Sequence, residues 1–272
     1  MPTLHSIDAL LKASSLPALE ARILMMHALH KTRVQLITQS EYELTEAELT
    51  AYQQLEQRRI DGVPIAYLTG QREFFGLDFH VTPDVLIPRP DTELLVELAL
   101  QFTPSGSSLL DLGTGSGAIA VALAHQRPDL SICASDISAA ALAVARHNAQ
   151  SHHCRIQFIE SDWYSALPQM QWHTIVSNPP YIENHDPHLS QGDLRFEPLH
   201  ALTDHADGLM AYRHIIGGAT SRLANHGWLL FEHGYNQAAA LRAMLAAHNF
   251  AQIQSWRDIA GIERVTGGQF GI

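Results

Sequence analysis

The chain has 272 residues, 46% hydrophobic and only 17% charged, which is enough to bury one large core or two smaller ones. Its formal net charge is −11 and its lysines are Lys12 and Lys31 alone, which excludes a broad phosphate-binding face and predicts no direct nucleic-acid partner. No apolar run approaches the roughly 20 residues that span a bilayer, and residues 1–5 lack signal-peptide character, so we expect no membrane association and a cytoplasmic location.

The first part of the chain has the spacing of helices. Up to about Gly70, leucine, isoleucine and methionine recur three and four residues apart, which predicts a small all-α domain over residues 1–72. Within it, Thr45 and Glu48 form a capping box, because the hydroxyl and the carboxylate can each accept a hydrogen bond from an amide at a helix start. We therefore expect a helix that runs from this box toward Arg58.

Residues 73–88 change to short runs of β type. Phe74-Phe75 and 78–81 are rich in aromatic and β-branched residues and are separated by a glycine. This pattern predicts a β-hairpin arm that joins the helical domain to a second domain over 89–272. The first helix of that domain is expected near Asp91.

From residue 108 onward strands and helices alternate. The predicted strands are 109–111, 131–134, 156–159, 174–177 and 228–232, and the helices between the first of them are 118–125 and 139–150. This alternation is typical of an α/β, Rossmann-like fold, in which a doubly wound, mostly parallel sheet carries helices on both faces. Ligands bind such sheets at the carboxyl ends of the strands, so we expect the site there.

The first strand of this domain ends near Asp111 and leads into a glycine-rich turn. The turn consists of Gly113, Thr114, Gly115, Ser116 and Gly117. Glycine has no Cβ, so such a turn lets the backbone approach a ligand closely, and its interval differs from the Gly-x-Gly-x-x-Gly of nicotinamide sites. S-adenosyl-L-methionine fits, because the Asp111 carboxylate attracts its cationic amino-acid end and would repel a phosphate. We predict that Asp111 and the turn bind this cofactor.

Acidic residues follow the next two strands. Asp136 is placed to accept hydrogen bonds from both ribose hydroxyls, and its alternative role is a helix cap, for which Ser138 is better suited. Asp162 and Trp163 follow the third strand, where they predict an acceptor for the adenine amino group and an apolar wall for its ring; a plain surface turn is the alternative. These residues extend the predicted cofactor site along the sheet edge.

The fourth strand leads into Asn178-Pro179-Pro180-Tyr181, which we call the clamp. Its two prolines fix φ and remove two backbone donors, so the Asn178 side chain and nearby carbonyls are acceptors for one substrate NH2 group, and Tyr181 offers a flat face. An amide or nucleobase nitrogen needs this arrangement, because its delocalised lone pair must be held in line with the methyl group. We predict Asn178, Pro179 and Tyr181 as catalytic, all four residues including Pro180 as substrate-binding, and Asn178 also as a cofactor contact.

Together these motifs resemble one family, the peptide chain release factor glutamine N5-methyltransferases. Further matching strings are 74–77, 87–93, 195–198, 232–234 and 258–267. The resemblance implies a helical domain that helps to dock the release factor and a catalytic domain that methylates the glutamine of its Gly-Gly-Gln loop. By matching position, 113–117, Asp136 and Trp163 would bind the cofactor and 178–181 the glutamine. Arg89 and the string 195–198 match the family, but chemistry suggests no role for them.

One departure from the family pattern lies near the end of the chain. It reads Gly267-Gly268-Gln269, where the resemblance leads us to expect a basic residue soon after the glycine. We interpret this copy of the substrate motif as inert, because it is a strand-end segment in its own fold.

The residues favour direct transfer without a covalent enzyme intermediate. The glutamine nitrogen attacks the methyl carbon of the sulfonium while the Asn178 oxygen and the Pro179 carbonyl accept its two N–H groups, leaving S-adenosyl-L-homocysteine. Two other functions stay open. An adenine N6-methyltransferase acting on DNA or RNA would use the same clamp on a flipped base, although the net charge opposes it. A binding module that merely retains the cofactor turn is the other.

The sequence predicts no metal site. His185, Asp186 and His188 are the densest group of potential ligands, and we interpret their loop as a substrate loop because no histidine pair has helical ligand spacing with a third carboxylate. Cys133 and Cys154 lack metal-type spacing, and we expect no disulfide. Release factors are the expected partners of a monomer.

Overall fold

The computed structural model describes residues 5–271, and the chain divides into two compact units. The helical unit contains the residues up to Gln71 together with the segment Gly192–Phe196; the second unit contains the rest, and we call it the catalytic unit after the role that the resemblance implies. The predicted helical domain starts at residue 1, so its first four residues lie outside the described part, as does the last residue of the predicted second domain. The sequence did not predict that Gly192–Phe196 groups with the helical unit.

Helices make up the first unit, as its spacing predicts. Over its described residues they are α1 (Ile7–Ala13), α2 (Ala18–Leu29), α3 (Arg33–Thr38), α4 (Glu46–Ile60) and α5 (Ile65–Thr69). Leu24, Met25 and Tyr52 are fully buried among them. The predicted capping box is confirmed: the Glu48 amide donates to the Thr45 hydroxyl, and the Thr45 amide donates to the Glu48 carboxylate at 2.8 Å.

Charged groups attach the segment Gly192–Phe196 to the helices of this unit. The Arg59 guanidinium donates to both carboxylate oxygens of Glu20, at 2.7 and 2.9 Å, and to Asp193 at 3.0 Å. The Arg195 guanidinium donates to the backbone carbonyl of Asp61 at 2.9 Å. A bidentate arginine has the planar geometry that carboxylates match, so these contacts give Arg195 and its neighbours a structural role within the unit.

The predicted hairpin is present, but its first strand is displaced. It consists of β1 (Gln71–Phe74) and β2 (Leu77–His80), so the strand predicted at Phe74-Phe75 is wrong at its second residue. Phe75 has φ +53° and lies in the turn, where a glycine follows it. The rings of Phe74 and Phe79 are buried and pack edge to face at 6.0 Å, so from Arg72 onward the hairpin belongs to the core of the catalytic unit.

A mostly parallel sheet organises the catalytic unit. Its strands within the described residues are β3 (Ser108–Leu112), β4 (Ser131–Asp136), β5 (Ile156–Glu160), β6 (Trp172–Ser177), β7 (Leu223–Glu232), β8 (Phe250–Arg257) and β9 (Glu263–Phe270), in the order β5-β4-β3-β6-β7-β9-β8. The first five are parallel, and β9 runs antiparallel to β7 and β8. The predicted parallel strands are all present, and β6 and β7 begin earlier than expected. The order reverses between β3 and β6, which is where doubly wound sheets bind ligands.

Helices cover both faces of the sheet. They are α6 (Glu93–Phe102), α7 (Ala118–Gln126), α8 (Ala139–Ser151), α9 (Leu199–Leu202), α10 (Met210–Ala219) and α11 (Ala238–Ala247). Adjacent residues of β3 enter opposite cores: Leu109 packs with α6 and α7, and Leu110 packs with α10 and α11. This alternation follows from the strand period of two. Within the described part of the chain, no helix combines the length and the apolar character that crossing a bilayer requires.

The Gly-Gly-Gln copy lies inside the sheet. Gly267 pairs with both Leu230 and Gln254, so the segment belongs to the paired length of β9 and is not only a strand end. The Gln269 amide nitrogen donates to the carbonyl of His226 at 2.9 Å, and its oxygen accepts from Gln252. Because its backbone and its side chain are both occupied, this glutamine is held within the fold.

Candidate active site

The structure brings most of the predicted site residues to one cavity at the carboxyl edge of the sheet. Those that line it are Gly113, Thr114, Gly115, Ser116, Asp136, Asp162, Trp163, Asn178 and Pro180. They come from the loops after β3, β4, β5 and β6. The remaining wall includes residues to which the sequence assigned no role in the site, which are Asp84, Leu86, Pro88, Arg89, Thr92 and His200.

Four predicted site residues do not line this cavity. Asp111, Gly117 and Pro179 are buried and do not line it. Tyr181 is half-buried and packs against the hydrophobic cluster under α10 and α11, so its expected contact with the substrate amide stays a prediction. These residues support the cavity wall through their backbone and their packing. A linear motif cannot distinguish this supporting role from direct contact with a ligand.

Positive φ angles explain the glycines of the turn. Gly113, Gly115 and Gly117 have φ of +73°, +55° and +82°, a region in which a Cβ costs energy. A Cβ added at Gly115 would meet no protein atom within 4 Å, whereas one added at Gly117 would lie 3.0 Å from the Cβ of Ala145. The absence of a side chain at Gly115 therefore leaves the space beside the turn open, and Gly117 allows α7 and α8 to approach each other.

Asp111 is a fully buried carboxyl at the end of β3. Its Oδ2 accepts from the Thr114 hydroxyl at 2.6 Å, while its Oδ1 has no hydrogen-bond partner among the described residues. Burial raises its pKa to about 7, the Thr114 hydrogen bond opposes this rise, and the nearby charge of Asp136 adds to it. A buried acceptor without a partner costs free energy, so a bound cation or donor at Oδ1 would stabilise the site.

Asp136 orders two neighbouring loops. Its Oδ2 accepts from the Gly115 amide and its Oδ1 from the Ser138 amide, both at 2.9 Å. The Ser138 hydroxyl accepts from the Ala141 amide, which confirms Ser138 as the cap of α8. A carboxylate has about four lone-pair directions, so Asp136 retains acceptor capacity toward the cavity.

Trp163 forms part of the cavity wall next to the glycine turn. Its ring lies 3.8 Å from the position of a Cβ at Gly113. The backbone at Trp163 has φ +46°, and its carbonyl accepts from the Ser161 hydroxyl at 2.9 Å. Asp162 is exposed and also borders the cavity. The loop therefore presents an apolar surface and a carboxylate to the same space, as the sequence predicts.

The clamp is held from behind by other parts of the catalytic unit. The Asn178 Nδ2 donates to the Thr92 hydroxyl at 3.3 Å. The Gln237 Nε2 donates to the carbonyl of Tyr181 at 2.9 Å and to that of Gly208 at 3.1 Å. A Cβ at Gly208 would lie 2.4 Å from the Tyr181 carbonyl oxygen, so only glycine fits there. The Tyr181 end of the clamp is therefore held by two distant segments.

Arg89 acquires a role that the sequence did not reveal. Its guanidinium forms an ion pair with the Glu197 carboxylate, whose side chain is fully buried, and the same carboxylate accepts from the Ile87 amide at 3.0 Å. A buried carboxylate needs such partners. The family-matched strings 87–93 and 195–198 thus meet at Arg89 and Glu197 next to the cavity wall, and a separation of 108 positions hides this contact from local sequence patterns.

Among the residues that the structure describes, no group of three or more histidine, cysteine or acidic side chains is arranged to hold a metal ion. Asp186 accepts hydrogen bonds from the His188 amide at 2.9 Å and from its ring nitrogen at 2.6 Å, and these two contacts lower the pKa of Asp186.

The side chains at and behind the cavity wall have the chemistry that an S-adenosylmethionine molecule requires. The free oxygen of Asp111 suits a cationic group, Asp136 suits hydroxyls, and Trp163 offers an apolar surface. The open space at Gly115 allows a ligand to contact the backbone. No phosphate partner is indicated, because carboxylates rather than basic groups surround the turn.

Comparison with known proteins gives the same assignment. The Methyltransferase small domain model matches residues 90–193, and the PrmC N-terminal domain model matches 3–70. The chain is 55% identical to the release factor glutamine methyltransferase of Burkholderia pseudomallei, covering 98% of this chain and 97% of that one. It is 49% identical to the protein of the same name from Neisseria gonorrhoeae, covering 97% and 98%.

A more distant structure shares the fold. The 16S rRNA N2 G1207 methyltransferase of T. Thermophilus, in complex with AdoMet and guanosine, has a TM-score of 0.54 at 18% identity, covering 74% of this chain and 49% of that one. This likeness concerns architecture alone. The identity over nearly the full length of the relatives is the stronger finding, and on it the chain belongs to the release factor glutamine methyltransferase family.

Proposed function

We propose that the protein methylates the side-chain amide nitrogen of the glutamine in the Gly-Gly-Gln loop of peptide chain release factors. The observation that carries this proposal is the placement of the Asn178 side chain in the same cavity as the glycine turn. An acceptor for an NH2 group thereby faces the space that suits a methyl donor. The printed names of the relatives point to the same substrate class.

S-adenosylmethionine, when bound, supplies an electrophilic methyl group, with S-adenosylhomocysteine as the product. In this proposal Asp111 and the turn hold its amino-acid end, Asp136 its ribose, and Asp162 with Trp163 its adenine. The contacts of these residues support the assignment: Asp136, Asp162 and Trp163 line the cavity with acceptor capacity or apolar surface, and the buried Oδ1 of Asp111 behind the turn has no partner among the described residues.

The clamp orients the substrate amide. The Asn178 oxygen and the Pro179 carbonyl accept the two N–H groups of the glutamine, which turns the nitrogen lone pair away from the carbonyl and toward the methyl group. One N–H proton is released to solvent water once the new N–C bond has formed, so the products are the methylated amide, the thioether and one proton. Tyr181 packs against the core and its carbonyl accepts from Gln237, which keeps the clamp backbone in place, while its ring would pack against the amide plane.

The helical unit is assigned to docking of the release factor, and the protein is expected to act as a monomer. An adenine N6-methyltransferase would meet the phosphates of its substrate with a net charge of −11, which opposes binding.

Incubation with methyl-labelled S-adenosylmethionine tests the proposal. A purified release factor should gain one methyl group on the loop glutamine by mass spectrometry, and a release factor in which that glutamine is alanine should gain none. DNA and RNA serve as parallel substrates. Label on adenine, or no label on any of them, would contradict the proposal, the first in favour of a nucleic-acid enzyme and the second in favour of a binding module.

A further inference from the structure

A buried carboxyl group, that of Glu232, lies directly behind the clamp. In the parallel pairing of β6 and β7, Ser177 is opposite Phe231, so the next residues at the carboxyl end are Asn178 and Glu232. Glu232 is 2% exposed and does not line the cavity. Within the described residues its Oε2 has no hydrogen-bond partner. Such a group is costly to retain without a function or a compensating contact.

The donors around Glu232 include the amide of Asn178. The Asn178 nitrogen donates to Thr92, and both Thr92 and Asn178 act on the Glu232 carboxyl as hydrogen-bonding neighbours. Thr92 is itself 5% exposed. With the amide nitrogen turned toward these buried acceptors, the Asn178 oxygen is the atom that remains for the cavity.

The orientation of this amide decides what the clamp can accept. An asparagine amide has an acceptor on one side and two donors on the other, and the two sides have nearly the same shape. Rotation by half a turn would present N–H groups to the substrate NH2, which cannot accept them. The same rotation would place the Asn178 oxygen against the Glu232 carboxylate, where like partial charges repel.

We propose that Glu232 is a positioning residue that holds the Asn178 amide with its oxygen toward the substrate nitrogen. The proposal rests on the proposed function for its catalytic consequence, but the amide orientation itself is a property of the free protein. Glu232 acts through Asn178 and does not touch the substrate.

The protonation state of Glu232 should control this effect near neutral pH. Burial raises its pKa to about 7, with Thr92 opposing the rise, Asp91 adding to it, and Arg264 and Asn178 opposing it. The other titratable groups that face it are the hydroxyls of Tyr181 and Tyr212, whose own pKa values burial raises above their usual range. The ionised carboxylate accepts from Asn178, whereas the protonated form competes as a donor. Turnover at saturating substrates should therefore rise with pH through about 7.

Kinetics of Glu232→Gln test the catalytic consequence. We expect kcat on the release factor to fall about tenfold or more, the loss typical of one hydrogen bond to a charged group, and its rise around pH 7 to flatten. The KM for release factor and the Kd for S-adenosylmethionine should change little. Glu263→Gln is the matched control, since Glu263 lies on the adjacent strand β9 and pairs with Arg242. An unchanged kcat and pH profile in Glu232→Gln, or an equal loss in the control, would overturn the proposal.

The side-chain amide of Asn178 gives a readout that does not depend on activity. In protein labelled with 15N-asparagine, the Asn178 signal is identified by its loss in Asn178→Asp. We expect this signal to move with pH around a midpoint near 7 in the wild type and in Glu263→Gln, and to remain still in Glu232→Gln. A wild-type Asn178 signal whose position does not change with pH would refute the positioning role of Glu232. Failure of the wild type to methylate a release factor would instead refute the proposed function. The pH response of the Asn178 amide signal would still decide whether Glu232 positions that amide.

Discussion

The glycine turn and the clamp lie at the same edge of the sheet, but they are built in different ways. The turn is held through its backbone: the Gly113 and Thr114 amides both donate to the Ser135 carbonyl of the adjacent strand at 2.9 Å, and the glycines take positive φ angles. The clamp is held by side chains from distant parts of the chain, namely Thr92 and Gln237. The cofactor turn therefore depends on glycines and one neighbouring strand, whereas substrate orientation depends on the assembled fold.

Removal of the Asn178 amide should separate the two regions most clearly. We expect Asn178→Ala to cost about 2.7–4 kcal/mol in transition-state stabilisation, a loss of roughly 100- to 1,000-fold in kcat, because one directed acceptor disappears. The Kd for S-adenosylmethionine should change much less. Asn184→Ala, at an exposed position in the following loop, is the matched control. Turnover by Asn178→Ala close to that of the control would show that the clamp is not the catalytic element.

A pair of glycine substitutions divides the turn into a packing part and a binding part. Gly117→Ala should lower the free energy of unfolding by about 2–3 kcal/mol, because it combines a left-handed φ with a Cβ 3.0 Å from Ala145. Gly115→Ala should cost about 1 kcal/mol from its φ alone, since the added methyl group enters open space, yet it should weaken cofactor binding at least tenfold. Chemical denaturation and calorimetry measure the two quantities. Equal destabilisation with equal affinity in both variants would contradict this division.

The pH dependence of cofactor affinity should report Asp111 alone. The pKa of Asp111 is raised to about 7 in the folded protein from 3.8, so the folded state holds an extra proton between about pH 4 and 7, and the free protein loses stability as pH rises through this window. A cationic ligand favours the ionised form. Affinity for S-adenosylmethionine should thus fall about tenfold per pH unit below 7, as one proton is released on binding.

Calorimetry in buffers of different ionisation enthalpy measures the number of protons released when the cofactor binds. Asp111→Asn should bind the cofactor more weakly above pH 7 and without this dependence. Persistence of the proton release in Asp111→Asn would assign it to another group. Glu232→Gln should leave it unchanged, because the groups that act on Glu232 are Thr92, Asp91, Arg264 and Asn178 and none belongs to the glycine turn.

Local sequence patterns predicted the site residues that directly follow the parallel strands. Gly113 and Gly115 of the turn, Asp136 after the second strand and Trp163 after the third line the cavity. The same reasoning did not show that Tyr181 packs against a hydrophobic cluster, because a string of four residues does not reveal which side chains contact the core. It also missed the contact of Thr92 with Asn178 and the partner of Arg89, since each joins positions far apart in the chain.

By itself the sequence determined the helical start, the parallel sheet and its glycine turn, because periodicity, capping residues and glycine act over a few positions. Only the tertiary structure decided that Glu232 stands behind Asn178, that Arg89 meets Glu197, and that Gly192–Phe196 groups with the helical unit. These contacts join positions far apart in the chain, and burial then determines their charges and hydrogen bonds, so no local pattern contains them.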